Sequence, residues 1–146
     1  MINKKGFTLI EVLLVIVIIA ILAAIVIVAV NPGRQISQAN NTQRTSDVRA
    51  LLDAVHQYGV DNRGVLPTSI TATATTIKSA VGGVDICSVL VPTYLSALPT
   101  DPTATGAAYT DCTTYDTGYT ILKDANGRVT VAAPTAELSE TVSVTR

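Results

Sequence analysis

The sequence predicts an α+β protein: one long N-terminal α-helix, apolar in its first half and amphipathic in its second, packed on a small antiparallel β-sheet head. Three observations predict this. Val12–Val30 is a run of 19 apolar residues without charge, Gly or Pro. From Ser46 onward, Val48, Leu51, Leu52, Val55 and Tyr58 or Gly59 recur at the 3–4 spacing of a helix face. Near the C-terminus, two strand-like runs flank Asp124-Ala125-Asn126-Gly127, a hairpin turn with Gly available for positive φ.

Composition narrows the class. The chain has 146 residues, 48% of them hydrophobic and only 14% charged, with no Trp and a single Phe. Concentrating the apolar residues in one run excludes a plain soluble globular protein and a disordered chain. The net charge of −1 creates no field that draws nucleic acid. The bases after residue 60 (Arg63, Lys78, Lys123, Arg128 and Arg146) are scattered rather than striped, so no nucleic-acid partner is expected.

The first element is the apolar run. Nineteen helical residues extend about 28 Å, close to the hydrocarbon thickness of a bilayer. Twelve of the 19 are Val or Ile. In water these favour strands, but in lipid or a bundle interior they form a helix that is apolar all round. Lys4 and Lys5 flank the N-terminal side, which places that side in the cytoplasm and residues from Asn31 outside. The run is longer than the apolar region of a secretory signal and ends without an Ala-x-Ala site. Glu11 stands at its membrane edge, where an unpaired carboxylate is costly. A simple anchor has no need of it. Ala20 and Ala24 form a small-xxx-small pair that allows close helix packing.

Asn31-Pro32-Gly33 predicts a kink followed by more helix. Gln35–Arg44 is polar, with few apolar anchors, and the amphipathic part follows it. Gly59 and Asn62-Arg63-Gly64 mark the end of the helix. The head, residues 60–146, contains 18 Thr among 87 residues. It is expected to hold an exposed strand or loop over Thr68–Thr76, a short helix over Val84–Leu90 and a turn-rich segment over Leu95–Pro102. Strands are expected over Gly118–Lys123, Arg128–Ala133 and Leu138–Thr145. Cys87 and Cys112 can form one disulfide in an oxidising compartment or remain two thiols.

The segment Lys4-Lys5-Gly6-Phe7-Thr8-Leu9-Ile10-Glu11 closely resembles the processing site of type IV pilins and pseudopilins: a short basic leader ending in Gly, then Phe, then Glu at the fifth mature residue, then an apolar helix. Leu98-Pro99-Thr100-Asp101-Pro102 resembles a segment found in many major members. The resemblance implies a leader over 1–6, a transmembrane and filament-core helix over 7–30, an amphipathic half over 31–59 and a globular head over 60–146. It implies cleavage between Gly6 and Phe7 by a prepilin peptidase, and N-methylation of Phe7. In a filament, Glu11 of one subunit would neutralise the Phe7 amine of its neighbour, although the two residues could also pair within one helix. The implied partners are the membrane before assembly, other copies of the chain in a helical homopolymer, and an inner-membrane platform with its ATPase. The implied location is the cytoplasmic membrane, then an extracellular filament, or the periplasm for a type II secretion pseudopilin. Many pilins carry Gly and Pro where this chain has Ala20 and Val28, which moves any helix loosening to Asn31–Gly33.

No catalytic chemistry is legible. His56, the only histidine, falls on the amphipathic helix, and no nucleophile setting or phosphate loop occurs. No cofactor is expected. Some pseudopilins of this kind bind calcium in C-terminal loops, which makes Asp101, Asp124 and Asn126 the candidates for a cation, with turn formation as their competing role.

Overall fold

The computed structural model describes residues 6–146; Lys4 and Lys5, and with them most of the expected leader, lie outside the described residues. Two compact units emerge, one ending at Ile36 and one spanning Ser37–Arg146. The α+β architecture expected from the sequence is the one observed.

Helix α1 spans Leu9–Val30. It ends at Asn31, whose left-handed backbone (φ 45°) interrupts the helix before α2, Pro32–Asp61, begins. The cause is local. Pro32 disfavours helical backbone in the residue before it, and Asn tolerates the left-handed region. Pro32 is itself well placed at a first helical position, where no N–H is needed. The Asn31 side-chain Oδ1 then accepts from the Arg34 amide at 3.3 Å. The expected kink-and-continue is therefore realised as a one-residue break. At the other end, Gly64 (φ 87°) lets its amide reach the Gly59 carbonyl at 2.7 Å and close the helix.

The head carries β1 (Thr75–Lys78), the single-turn α3 (Cys87–Leu90), β2 (Ala108–Asp111), β3 (Thr114–Lys123), β4 (Val129–Ala133) and β5 (Val142–Thr145). The antiparallel sheet runs β1-β3-β4-β5, and β2 pairs with β3 as well. In β3, Tyr115, Thr117, Tyr119 and Ile121 alternate inward, as a strand with one buried face must. Ile121 sits opposite Val131, and Val131 opposite Val144. These residues join Val48, Leu51, Leu52 and Val55 of α2 in one core cluster.

Several boundaries depart from expectation. Strand β3 begins at Thr114, not Gly118, which lies within it at φ 75°. A Cβ at Gly118 would approach the Cβ atoms of Ala104 and Asp101 at 2.9 and 3.0 Å, so this glycine admits a packed loop rather than starting a strand. The helix expected from Val84 shrinks to its last four residues. Leu138–Thr141 forms a turn before β5. The polar Gln35–Arg44 stretch is also anchored: Asn41 and Arg44 are buried.

Candidate functional site

The N-terminus of α1 is built by a capping box. Thr8, in extended backbone, is the N-cap, and Glu11 is the third helical residue. The Glu11 carboxylate accepts from the Thr8 amide and the Thr8 hydroxyl, both at 2.9 Å. The Thr8 hydroxyl in turn accepts from the Glu11 amide at 3.3 Å. Two helix-end N–H groups are thus satisfied without water. The sequence reading weighed Phe7 as the local partner of Glu11. In the uncut chain Phe7 has no free amine, and Glu11 is held by Thr8, whose Thr-x-x-Glu signature was available in the sequence.

Among the described residues nothing else closes in around this cap. Phe7 is 88% exposed. A Cβ on Gly6 would meet nothing within 4 Å, so the chain's own packing does not require a glycine there. No residue of α1 is buried, and Ala20 and Ala24, four apart on one helix face, are both exposed. Among the described residues, α1 is the one helix long and apolar enough to cross a membrane.

A second constellation lies in the head. Arg44 is fully enclosed and donates Nε to Asp101 Oδ2 at 2.8 Å and Nη2 to Asp101 Oδ1 at 3.1 Å. Its Nη1 donates to Glu137 at 3.0 Å and to Asn41 at 2.9 Å. Burial pushes the Asp101 carboxyl up, but Arg44, the Thr135 hydroxyl and the amides of Thr103 and Ala104 outweigh it and hold the group at about 2. Beside it, Asp47 accepts from the Tyr119 hydroxyl at 2.7 Å. Burial and that hydrogen bond push the Tyr119 hydroxyl well above its ordinary range. An Arg in a polar stretch without apolar neighbours gave no sign of burial, and its carboxylate partner is 57 residues away.

The calcium candidates Asp101, Asp124 and Asn126 each have an intramolecular role. Asp101 is the keystone of an ion pair, with donors on both oxygens. Asp124 is spent on its own turn, accepting from the Asn126 and Arg128 amides and from Arg128 Nε. Asn126 supplies only its amide to that turn. Among the described residues no three His, Cys, Asp or Glu groups gather as metal ligands. His56 is half-buried on α2, its Nε2 enclosed and without a partner.

Cys87 and Cys112 form a disulfide with Cα atoms 5.2 Å apart, tying α3 to the β2–β3 turn. Of the two outcomes left open by the sequence, the bridge is the one found. The Tyr109 hydroxyl lies 3.9 and 4.0 Å from its two sulfurs.

Residues 1–27 match the family model described as the prokaryotic N-terminal methylation motif. This is the signature of type IV prepilins and pseudopilins. No curated protein and no solved structure shows significant similarity to the chain. Over residues 1–27 the chain therefore carries a prepilin-type signature, followed by an apolar helix that fits membrane insertion.

Proposed function

We propose that this chain is the structural subunit of a type IV pilus filament, cut after Gly6, N-methylated at Phe7 and polymerised through α1. The observation that carries the reading is the conjunction of the methylation motif with an apolar helix none of whose 22 residues is buried. Such a helix needs lipid first and copies of itself afterwards. Gly6, which no intramolecular contact requires, suits recognition by a peptidase. In this reading residues 1–6 are the leader, 7–30 the filament core, 31–59 the amphipathic half and 60–146 the head. Glu11 exchanges its Thr8 donors for the Phe7 amine of a neighbour, which sets axial register, and Ala20 and Ala24 allow close approach of the packed helices. The protein is structural rather than catalytic. Its partners are a prepilin peptidase, an inner-membrane platform with its ATPase, and further copies of the chain.

Mass spectrometry of material sheared from intact cells tests this. The expected result is a filament fraction whose chain begins at N-methylated Phe7. A processed chain confined to the cell envelope would instead identify a secretion pseudopilin or a minor pilin. An intact Met1 or Ile2 start would reduce α1 to a plain anchor.

A further inference from the structure

The place where α1 begins decides the state of the peptide bond just ahead of it. The Thr8 carbonyl accepts the first helical hydrogen bond, from the Val12 amide at 3.3 Å. Thr8 itself is extended (φ −79°, ψ 153°), and Gly6 and Phe7 before it are non-helical. The Gly6–Phe7 bond, the one cut in the proposed processing, therefore ends one residue short of the cap.

Between Phe7 and Ile10 there is no Pro or Gly to stop a helix. In a helix begun one turn earlier, the Glu11 amide would donate to the Phe7 carbonyl and the Ile10 amide to the Gly6 carbonyl. The capping box pre-empts this. The Thr8 hydroxyl takes the Glu11 amide at 3.3 Å, and the Glu11 carboxylate takes the Thr8 amide and hydroxyl at 2.9 Å each. Among the described residues, no backbone amide donates to the Gly6 or Phe7 carbonyl. The Gly6 carbonyl is the group that hydrolysis attacks. Water adds to its carbon, the bond to the Phe7 nitrogen breaks, and a proton from that water goes to the nitrogen, leaving a Gly6 carboxylate and a Phe7 ammonium. A carbonyl engaged inside a helical turn would first have to be unwound.

We propose that Thr8 is a positioning residue for this cleavage: its cap ends α1 where the Gly6–Phe7 peptide stays extended and uncovered for a prepilin peptidase. The inference rests on the prepilin reading above and deepens it. Glu11 then acts twice, as half of the capping box before cutting and as a charge partner afterwards. A bond that is presented for only a fraction of the time binds more weakly by that fraction, while turnover of the bound chain is unchanged. This separates presentation of the bond from direct reading of the side chain by the enzyme.

The test is the cleavage rate of detergent-solubilised full-length precursor by purified prepilin peptidase. For Thr8→Ala, which removes the cap and favours helix, the apparent KM is expected to rise about fivefold at unchanged kcat, as for loss of one N-cap. Thr8→Ser restores a capping hydroxyl and should return KM to the wild-type value. Glu11→Gln keeps a capping box without the charge and should also be cut as wild type. A wild-type KM for Thr8→Ala, or a loss confined to kcat, would overturn the inference. So would a Thr8→Ser chain cut as poorly as Thr8→Ala, which would mean that the threonine methyl is read, or an equally poor Glu11→Gln chain, which would mean that the charge is read. A wild-type precursor left uncut would overturn the prepilin reading itself, and the inference with it.

Discussion

Every residue of α1 is exposed in the single chain, whereas Val48, Leu51 and Val55 of α2 are completely enclosed. The two stretches are comparably helical, yet their covers differ in origin. The head supplies its own cover, with strand side chains facing α2 and Arg44 joining two distant loops to it. Among the described residues, helix α1 has only its capping box as internal support, and the proposed filament reading gives it lipid or other chains as its environment. Stability of the head and competence for assembly should therefore be separable by mutation.

The widest separation is expected from Glu11→Ala. Membrane insertion and the melting temperature of the head should be unchanged, while sheared-filament yield falls by about tenfold or more. Normal yield would remove charge pairing from the assembly account. Arg44→Met should act in the opposite way. It leaves Asp101 enclosed without its cation, at a cost of about 3–5 kcal/mol to the head, while cleavage after Gly6 proceeds. Thermal melting of detergent-solubilised full-length protein reads the loss. An Arg44→Met/Asp101→Leu pair should recover much of it.

Opening the Cys87–Cys112 bridge, by reduction or by a double Ser variant, should cost about 3.5 kcal/mol in the chain-entropy picture for a closure of 25 residues. The effect belongs to the head alone, so insertion of α1 should not respond. A smaller effect is expected in acid. The folded Asp101 group titrates at about 2, below its ordinary 3.8. Its contribution, about 2 kcal/mol, is therefore complete above pH 4 and is lost as pH falls from about 4 toward 2. Asp101→Asn should flatten that part of the stability profile, and an unchanged acid limb would show that other carboxylates govern it.

Much of the fold was legible because its signals are local. The apolar run, the 3–4 spacing from Val48 to Tyr58, the Asn31-Pro32 break and the Asp-Ala-Asn-Gly turn each depend on residues within a few positions of one another. One strand boundary was not legible, because it depends on a contact across the head. Strand β3 starts at Thr114 rather than at the expected Gly118, which lies within it because a glycine there admits Ala104 and Asp101.

By itself, the sequence determined the membrane-length helix, the processing motif at its head, the amphipathic half and the terminal hairpin, because periodicity and turn chemistry act over one or two turns of chain. Only the tertiary structure decided that Arg44 is buried, that Asp101 binds its guanidinium, and that Leu138 is held in left-handed backbone. Each of these outcomes depends on groups 57 to 100 residues apart being brought together, as in the Arg44–Asp101 and Ser37–Glu137 bonds. No local pattern encodes an enclosed charge. Its partner is chosen by the way the helix and loops pack, and the cost of leaving it unpaired then holds that packing in place.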